Sequence, residues 1–385
     1  MIKRIAEGRL IKLAQTFRSV AVVGPRQSGK TTLCRAVFPE KPYISLENPD
    51  ILEYATSDPR GFLAQYSKGN GAILDEIQRA PQLFSYLQQI LDETKETGLF
   101  ILTGSNNFLL QENMTQTLSG RIAYLHLLPL SLEELKLSNH IKTDYPWHIV
   151  AGGYPEVIAK EIAPADWYPN YISTYIERDV RQLKNITNLA LFTKLLRMCA
   201  GRTGQLLNMT ALANDCGIDQ KTVASWLSIL QSSYIIYLLK PYYNNFNKRI
   251  TKTNKLYFYD TGVACSLLGI KSAEQIPIHA AKGALFENMI VSELLKDRFN
   301  KGENDNLYYW RDKTGNEVDI LTGNEEQLTA IELKAGETIS TDFFKGLNYF
   351  SALQTDTIEK LLIYGGNQEQ QRSNGIYVKP WDMLI

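Results

Sequence analysis

The chain is poor in the residues that build metal centres and disulfide frameworks. Among its 385 residues are only four cysteines and four histidines. The cysteines are far apart and form no C-x-x-C pair, and no histidines stand at ligand spacing. This scarcity favours small buried thiols in a reducing compartment over a disulfide scaffold or a zinc site. The residues are Cys34, Cys199, Cys216, Cys265, His126, His140, His148 and His279.

Long apolar runs and an excess of charge of one sign are also missing. No stretch approaches the roughly 20 apolar residues that cross a bilayer, which indicates no membrane partner. The N-terminus is charged and lacks the apolar core of a signal peptide, so we expect a cytoplasmic protein. Lys plus Arg and Asp plus Glu each number 41. Any nucleic-acid binding must therefore come from a local basic patch.

One stretch that is present carries the complete G-x-x-x-x-G-K-[ST] pattern of a phosphate-binding loop. It reads Gly24-Pro25-Arg26-Gln27-Ser28-Gly29-Lys30-Thr31-Thr32, between a predicted strand at 19–23 and a predicted helix at 32–37. In that setting, backbone N–H groups and the helix N-terminus bind phosphate. We predict that Lys30 reaches the β- and γ-phosphates and that the Thr31 hydroxyl joins a Mg²⁺ shell. The sequence therefore predicts a nucleoside triphosphate site.

A second motif follows the loop. The apolar run 71–74 is typical of a strand and ends in Asp75 and Glu76. Because a strand turns successive side chains to opposite sides, the two carboxylates can take different roles. We predict that Asp75 holds Mg²⁺ and its waters, and that Glu76 polarises the water that attacks the γ-phosphate. The position after a phosphate loop favours this interpretation over a helix cap at the strand end.

Further positions are candidates for contact with the γ-phosphate, each with an alternative. A predicted strand at 99–102 runs into Ser105 and Asn106, which would lie beside the phosphate loop in a parallel, doubly wound sheet. They either contact the phosphate and orient the water or form an Asx turn. Arg121 either stabilises charge on the transferred phosphoryl group, in its own subunit or a neighbour's, or forms a surface ion pair.

Taken in order, these motifs resemble those of a family of prokaryotic AAA-type ATPases whose C-terminal region is called DUF4143. The resemblance covers nearly the whole chain. It implies that the nucleotide is ATP and not GTP, and it is compatible with either a monomer or an oligomer. The absence of the guanine-reading N-K-x-D pattern points the same way. The matching segments are Gly24 to Leu33, Leu74-Asp75-Glu76-Ile77-Gln78, Leu102-Thr103-Gly104-Ser105 and Ser119-Gly120-Arg121.

The middle of the chain reads as helical. We expect a helical lid or linker over residues 136–200 and a winged-helix-like domain over 201–260. In that domain Thr210 caps a short helix, Gly217 makes a turn and Asp219 caps a second helix. Residues 235–239 and 240–259 supply the two strands of a wing. The second helix carries its apolar residues inward at Val223, Trp226, Leu227 and Leu230.

The second wing strand is basic and aromatic and contains no acidic residue. Such a strand suits phosphate contact and base stacking, which predicts DNA as a partner of residues 210–259. The alternative is a domain that only covers the ATPase or spaces the domains. The basic and aromatic residues are Lys240, Lys248, Arg249, Lys252, Lys255, Tyr242, Tyr243 and Phe246.

The order of predicted elements is informative in residues 261–385. A helix at 285–299 is followed by strands at 307–311, 317–321 and 328–334, a helix at 342–353 and a strand at 360–364. This α-β-β-β-α-β order, with Asp319 and the run Glu332-Leu333-Lys334, resembles the PD-(D/E)xK restriction-endonuclease-like fold.

Metal-dependent chemistry explains the residue types in this segment. Alternation places Glu332 and Lys334 on one side of their strand, with Leu333 turned into the core. We predict that Asp319, Glu332 and the helix-borne Glu287 share a Mg²⁺ ion. Lys334 would position or deprotonate a water that attacks a phosphodiester. Surface ion pairs are the alternative, and Glu317, on the strand face of Asp319, is either an additional ligand or solvated.

Together, these patterns predict an α/β protein with four parts. They are a P-loop AAA-type ATPase core (1–135), the helical lid or linker (136–200), the winged-helix-like domain (201–260) and a restriction-endonuclease-like α/β domain (261–385), with DUF4143 spanning roughly the C-terminal half. Our main hypothesis is an ATP-hydrolysing enzyme coupled to a nuclease-like domain that acts on DNA. The competing hypothesis is a nucleotide-controlled signalling or defence switch whose catalytically silent C-terminal domain binds a protein partner. Net neutrality favours the second, and the presence of all four nuclease-type positions favours the first.

Overall fold

Two β-sheets organise the protein. The computed structural model describes residues 2–104, 118, 120–180, 186, 188–242, 253–323, 328–354 and 358–384. Within those ranges, one sheet contains five strands from the N-terminal third, and the other contains eight strands that begin at Ile236. Helices of the middle region lie between the two sheets in the sequence.

The first sheet is parallel throughout the described strands. Its order is β2-β3-β4-β1-β5, so β1 lies between β4 and β5. The strands are β1 (Ser19–Val23), β2 (Tyr43–Ser45), β3 (Ala72–Asp75), β4 (Phe100–Gly104) and β5 (Ile122–His126). The accompanying helices are α1 (Ala6–Thr16), α2 (Lys30–Val37), α3 (Pro49–Ser57), α4 (Pro59–Ala64) and α5 (Leu83–Glu93). Because the strands are parallel, their carboxyl ends meet at one edge.

Apolar runs explain the strands of this sheet. Every residue of β1, β3 and β4 is buried, as expected for parallel strands covered on both faces. The strand predicted at 19–23 is confirmed with the same bounds, and α2 begins at Lys30, ahead of the predicted position 32. The sheet therefore brings the ends of β1, β3 and β4 together at the phosphate loop.

The middle region is helical. Its helices are α6 (Leu132–Leu137), α7 (Tyr145–Ala151), α8 (Pro155–Ala159), α9 (Pro164–Tyr171), α10 (Leu189–Ala200), α11 (Met209–Cys216) and α12 (Gln220–Ser232), and a π-helix (Ile172–Val180) continues α9. Gly152 and Gly153 separate α7 from α8. A Cβ atom on Gly152 would clash with the Tyr168 hydroxyl, which explains the glycine there.

The caps of α11 and α12 agree with the sequence at two positions and differ at one. Gly217 ends α11 in the left-handed region at φ 73°, and the Asp219 side chain accepts from Thr222 N–H at the start of α12. The prediction that Thr210 caps α11 is wrong, because Asn208 is the cap and accepts from Ala211 N–H at 2.9 Å. The four predicted inward positions of α12 are all buried.

The second sheet has the order β12-β13-β11-β10-β9-β8-β6-β7 in the described chain. Its strands are β6 (Ile236–Pro241), β7 (Lys255–Phe258), β8 (Leu307–Arg311), β9 (Glu317–Gly323), β10 (Leu328–Lys334), β11 (Glu359–Tyr364), β12 (Gln370–Gln371) and β13 (Ile376–Pro380). Helices α13 (Thr261–Leu268), α14 (Lys282–Lys301) and α15 (Lys345–Ala352) accompany it. The predicted α-β-β-β-α-β order is present from α14 to β11, and β12 and β13 follow it without having been predicted.

The two strands predicted as a wing belong to this second sheet. β6 and β7 pair antiparallel. β6 also pairs with β8, through the parallel pairs Lys240–Tyr308 and Pro241–Tyr309. The sheet therefore runs across the predicted domain boundary at residues 260 and 261. Residues 243–252, which carry most of the predicted basic wing, lie outside the described residues, and the winged helix stays a prediction.

Two expectations from composition can be compared with the fold. All four cysteines are buried and unbridged, which confirms the prediction of small buried thiols. Among the described helices, none combines the length and apolarity that a membrane span requires.

We expect the cap assignment of α11 to be measurable. Asn208→Ala removes the acceptor for Ala211 N–H and should cost about 1 kcal/mol of local helix stability. Hydrogen–deuterium exchange over residues 208–217 should therefore accelerate by several-fold. Thr210→Ala, at the exposed neighbouring position, is the matched control and should change this exchange little; the reverse ranking would contradict the assignment.

Candidate nucleotide site and C-terminal carboxylate cluster

Glycines shape the phosphate loop between β1 and α2. A Cβ atom on Gly24 would clash with the carbonyl oxygen of Leu127, so only glycine fits at this close approach. Gly29 precedes α2 in the left-handed region at φ 94°, a conformation that glycine adopts at little cost. The loop therefore has the backbone that the sequence pattern predicts.

Lys30 is buried at the first position of α2. Its ammonium donates to the carbonyl oxygens of Gly24 at 3.0 Å and Pro25 at 2.7 Å. Burial lowers the pKa of Lys30, and the carboxylates of Glu76 and Asp75 oppose that shift. The ammonium thus lies inside the loop and faces the carboxylates at the strand ends.

The other loop residues are distributed around this centre. The Ser28 hydroxyl is buried and has no hydrogen-bond partner among the described residues, although a buried hydroxyl without a partner costs free energy. Arg26 forms an ion pair with Glu47 at 3.6 Å, and Gln27 and Thr32 are exposed. The orphaned hydroxyl marks a position inside the loop that suits a phosphate oxygen.

Asp75 is the meeting point of three hydroxyl groups. Its carboxylate accepts from Thr31 at 2.9 Å, from Tyr43 at 2.7 Å and from Thr103. Burial, followed by the hydrogen bond to Asp75, raises the pKa of Tyr43 to about 12. The predicted metal residues Thr31 and Asp75 are therefore in direct contact, and Tyr43 and Thr103 join them although no role was predicted for either.

Glu76 leaves the strand in an unusual backbone conformation. Its φ of 55° lies in the left-handed region, which non-glycine residues adopt at a cost and often at functional sites. The expected strand alternation of Asp75 and Glu76 is therefore wrong, because β3 ends at Asp75. The side chain is half-buried and accepts from Gln78, and its N–H donates to the Thr103 hydroxyl at 3.3 Å.

Thr103 is the last described polar residue before the predicted γ-phosphate contacts Ser105 and Asn106. It lies near the end of β4, in register with Val22 of β1. Its hydroxyl joins Asp75 to the Glu76 backbone. Ser105 and Asn106, the predicted residues, lie outside the described residues.

Arg121 lies at the opposite edge of the sheet. It precedes β5, whose first residue Ile122 pairs with Ser19, whereas His126 pairs with Val23 next to the phosphate loop. At ~3.3 Å per strand residue, the strand separates Arg121 from the loop by more than ~13 Å. Its guanidinium pairs with Asp92 through both Nε and Nη2. A role at the γ-phosphate of the same chain is therefore wrong, and a role across an interface stays a prediction.

Arg4 supports the phosphate loop from outside. Its guanidinium donates to the carbonyl oxygens of Ser28 and Leu128, each at 2.7 Å, and to the Glu134 carboxylate at 2.9 Å. Both side chains of this ion pair are buried. Glu134 also accepts from the N–H groups of Ile5 at 2.8 Å and Ser131 at 2.9 Å. The start of α6 is thereby tied to the phosphate loop.

The same helix start contacts α14 of the C-terminal region. Leu132 N–H donates to Glu293 at 2.6 Å, and the Lys296 ammonium donates to the Leu130 carbonyl at 2.9 Å and to Glu293 at 2.6 Å. Burial raises the pKa of Glu293, and the ion pair with Lys296 opposes that shift. A continuous set of buried polar contacts therefore joins the phosphate loop to α14.

The predicted C-terminal residues converge in one cluster. Lys334 contacts Glu332 at 2.6 Å and Asp319 at 3.9 Å, which agrees with Glu332 and Lys334 sharing a strand side. Leu333 is buried, and its N–H donates to Asp319 at 2.8 Å. Glu287 lies in the second turn of α14, since this helix begins at Lys282 and not at 285. It approaches the same cluster through a shared lysine.

That shared lysine is Lys255, which was predicted to belong to the basic wing strand. Its ammonium contacts Glu287 at 3.0 Å, Asp319 at 3.8 Å and Glu317. The residue is 2% exposed. Its role as a surface contact for DNA phosphate is therefore wrong. Burial lowers the pKa of Lys255, but the surrounding carboxylates raise it by more than burial lowers it. The pKa of Lys255 therefore lies well above its ordinary value.

Glu332 is the carboxylate with the least complete set of partners. Its Oε2 is buried without a hydrogen-bond partner in the described chain. Burial, followed by repulsion from Asp319, raises the pKa of Glu332 to about 8. Across the described ranges, no group of three or more His, Cys, Asp or Glu side chains is arranged to hold a metal ion. The carboxylates thus lie together, but around ammonium groups.

Family comparisons divide the chain into three matched segments. Residues 16–136 match the AAA domain, residues 142–274 match a domain of unknown function (DUF8612), and residues 282–384 match a domain of unknown function (DUF4143). The predicted order of an AAA domain followed by DUF4143 is confirmed. The segments predicted as lid and winged helix fall mainly within the single DUF8612 match.

Similar proteins occur in Mycobacterium tuberculosis and Methanocaldococcus jannaschii. The chain is 28% identical over 388 residues to the uncharacterized protein Rv2008c of Mycobacterium tuberculosis, covering 100% of this chain and 84% of that protein. It is 26% identical over 350 residues to the uncharacterized protein MJ1544 of Methanocaldococcus jannaschii, covering 82% and 75%.

Solved structures show a more distant likeness. The Walker-type ATPase PABY2304 of Pyrococcus abyssi has a TM-score of 0.47 and 16% identity, covering 70% of this chain and 96% of that one. The RuvB Holliday junction branch migration motor of Thermotoga maritima has a TM-score of 0.30 and 17% identity, covering 61% and 89%.

The position of Thr103 generates a kinetic prediction. Thr103→Val keeps the side-chain shape but removes the hydroxyl that joins Asp75 to Glu76 N–H. A hydrogen bond to a charged group contributes about 1.5–3 kcal/mol, so kcat for nucleotide hydrolysis should fall by about tenfold or more. Thr103→Ser, which retains the hydroxyl, is the control. Equal steady-state rates in both variants would contradict the assignment.

Proposed function

We propose that this chain, which belongs to the AAA-type P-loop ATPases with a C-terminal DUF4143 region, hydrolyses ATP to control that region. The observation that carries the proposal is the position of Asp75 at the carboxyl edge of the parallel sheet. Its carboxylate is bonded to Thr31 of the phosphate loop and to Thr103 of the adjacent strand. The hydroxyl and carboxylate oxygen atoms that a Mg²⁺–nucleotide site requires therefore lie close together.

The residues of the loop fit a nucleotide phosphate. The Ser28 hydroxyl is buried without a partner, and the glycines leave the backbone accessible. Lys30 would exchange the Gly24 and Pro25 carbonyl oxygens for the β- and γ-phosphate oxygens. Thr31 and Asp75 would hold Mg²⁺ and its waters, since hard cations prefer oxygen ligands. When it is bound, Mg²⁺ neutralises charge on the phosphates.

Glu76 is the residue that we propose activates the attacking water. It is half-buried beside Asp75, and the hydrogen bond from its N–H to Thr103 fixes its backbone next to the loop. A carboxylate there accepts a proton from the attacking water as the bond to the γ-phosphate forms. Gln78 binds one carboxylate oxygen and thereby orients the group.

Control of the C-terminal region rests on the buried contacts that begin at the phosphate loop. Arg4 holds Ser28, Glu134 holds Arg4 and the start of α6, and Glu293 of α14 holds Leu132. A shift of the loop on nucleotide binding therefore acts on a chain of contacts that tolerates few rearrangements, because buried ionic groups need their partners. Helix α14 also carries Glu287, so the same helix contacts the start of α6 and contributes to the carboxylate cluster.

The nucleotide assignment is tested with three variants. Lys30→Ala should abolish ATP binding, because the loop loses the ammonium group that we predict contacts the β- and γ-phosphates. Glu76→Gln should retain binding but reduce kcat by about 100-fold or more. Lys12→Ala, an exposed lysine of α1, is the control. Binding is measured with a fluorescent ATP analogue, and hydrolysis by phosphate release.

Two outcomes would contradict this assignment. Unchanged ATP uptake in Lys30→Ala would refute the site, and unchanged hydrolysis in Glu76→Gln would refute the role of that carboxylate. Lys12→Ala must match the unsubstituted protein in both measurements for either conclusion to hold.

Coupling to the C-terminal region is tested on α14. ATP should change hydrogen–deuterium exchange over residues 282–301, and Glu293→Gln should remove this response, because it weakens the contact with Leu132 and the ion pair with Lys296. Asp297→Asn changes a carboxylate on the same helix that pairs only locally with Lys301 at 2.7 Å, so the response should persist. Loss of the response in both variants, or in neither, would argue against this connection.

A further inference from the structure

The carboxylate cluster of the second sheet concentrates charge in a buried place. Glu287 comes from α14, Glu317 and Asp319 from β9, and Glu332 from β10. Asp319 and Glu332 are each 8% exposed. Buried carboxylates are stable only when cations or hydrogen-bond donors compensate them. The identity of the compensating cation therefore decides what the cluster can do.

The central cation is an ammonium group. Lys255 Nζ contacts Glu287 at 3.0 Å, Asp319 at 3.8 Å and Glu317, and an ammonium has three donors for such contacts. Tyr309 presents its ring 5.5 Å from the same nitrogen. One positive centre among oxygen atoms from separate elements is the arrangement that a bound divalent ion would have.

The backbone of Lys255 is fixed on both sides. Lys255 pairs with Leu239 of β6 on one side and bridges to Leu206 on the other. The preceding residue, Asn254, accepts from Leu207 N–H at 2.8 Å. With a buried stem and a backbone held in the sheet, the ammonium remains within the cluster as part of the fold.

We propose that Lys255 is an internal cation that takes the place of a divalent metal ion in this cluster and keeps it metal-free. Mg²⁺ requires near-octahedral oxygen ligands at 2.0–2.1 Å and retains several waters. The ammonium occupies the space between the same oxygen atoms and repels a second cation. The C-terminal region is then a binding or regulatory module and does not cleave phosphodiesters.

One observation indicates that the cluster keeps the character of a cation site. Glu332 Oε2 is buried and lacks a hydrogen-bond partner among the described residues, although its other oxygen is held by Lys334 at 2.6 Å. An unpartnered carboxylate oxygen beside Asp319 is a position that a divalent ion would satisfy. Removal of the Lys255 charge should therefore convert the cluster into a metal site.

The lysine comes from the segment that precedes the DUF4143 match. Lys255 lies within residues 142–274, which match DUF8612, whereas the carboxylates lie within residues 282–384. The middle region thus supplies the charge that fills the cluster of the C-terminal region. This inference does not depend on ATP hydrolysis, so failure of either proposal can be recognised separately.

The test measures Mn²⁺ binding by electron paramagnetic resonance and thermal unfolding. All variants carry Lys30→Ala and are studied without nucleotide, which weakens binding at the phosphate loop. The Lys255→Met chain should bind Mn²⁺ about tenfold or more tightly than the chain with Lys255, within the range by which surrounding residues alter metal affinity. Mn²⁺ should also raise its Tm. Adding Glu332→Gln should abolish both effects.

Two controls separate the charge of Lys255 from other effects. Lys240→Met removes an exposed lysine of the neighbouring strand β6 and should bind no more Mn²⁺ than the chain with Lys255. Lys255→Arg retains the positive charge and should also stay metal-free. If Lys255→Met unfolds without metal, refolding in Mn²⁺ should rescue it.

Three results would overturn the proposal. The first is Glu332-dependent Mn²⁺ binding by the chain that retains Lys255. The second is Mg²⁺- or Mn²⁺-dependent plasmid cleavage by the unsubstituted protein above a Glu332→Ala control, with or without ATP. The third is a Lys255→Met chain that gains no Mn²⁺ binding, whether it folds alone or fails to be rescued by the metal.

Discussion

The buried ion pair between Arg4 and Glu134 holds the N-terminal segment, the phosphate loop and the start of α6 in one arrangement. A buried carboxylate and a buried guanidinium are costly when unpaired. Here the two groups pair with each other, although 130 residues separate them in the sequence. Arg4 uses its remaining donors on Ser28 and Leu128. The shape of the phosphate loop therefore depends on a residue that lies before the first helix.

The phosphate loop and the carboxylate cluster each contain a buried lysine, but the two lysines have different acceptors. In the phosphate loop, Lys30 is held by carbonyl oxygens of its own loop, which are weak neutral acceptors that a phosphate can replace. In the second sheet, Lys255 is held by carboxylates in ionic contacts. Lys30 can therefore exchange its present acceptors for a phosphate, whereas Lys255 is held by stronger ionic contacts. The two lysines therefore differ in whether their present partners can be replaced by a phosphate.

The features that the sequence predicts well are local. The glycines of the phosphate loop, the apolar strands that flank it and the position of Asp75 at the end of a strand follow from short patterns, because backbone curvature and strand burial depend on neighbouring residues. The same holds for α14 to β11, whose order is visible as alternating runs. Even the convergence of Asp319, Glu332 and Lys334 follows from strand alternation together with this order.

The features that the sequence does not reveal depend on contacts between distant residues. Lys255 reads as one of several basic residues on a strand, and only the pairing of β6 with β8 brings it to Glu287 and Asp319. Arg121 reads as a possible phosphate contact until the parallel register places it at the far edge of the sheet. Tyr43 is similar, since its hydroxyl meets Asp75 only because β2 lies beside β3. The pairing of strands, and not the residue types, decides these roles.

The pairing of β6 with β8 also determines how the chain can be divided. A fragment that begins at residue 261 would lose β6 and β7 and leave β8 as an open edge, with its largely buried residues exposed. Unpaired apolar edges promote association between molecules. Such a fragment would also contain the carboxylates without the ammonium that compensates them. A fragment that also includes β6 and β7 keeps the edge of β8 paired and the carboxylates compensated.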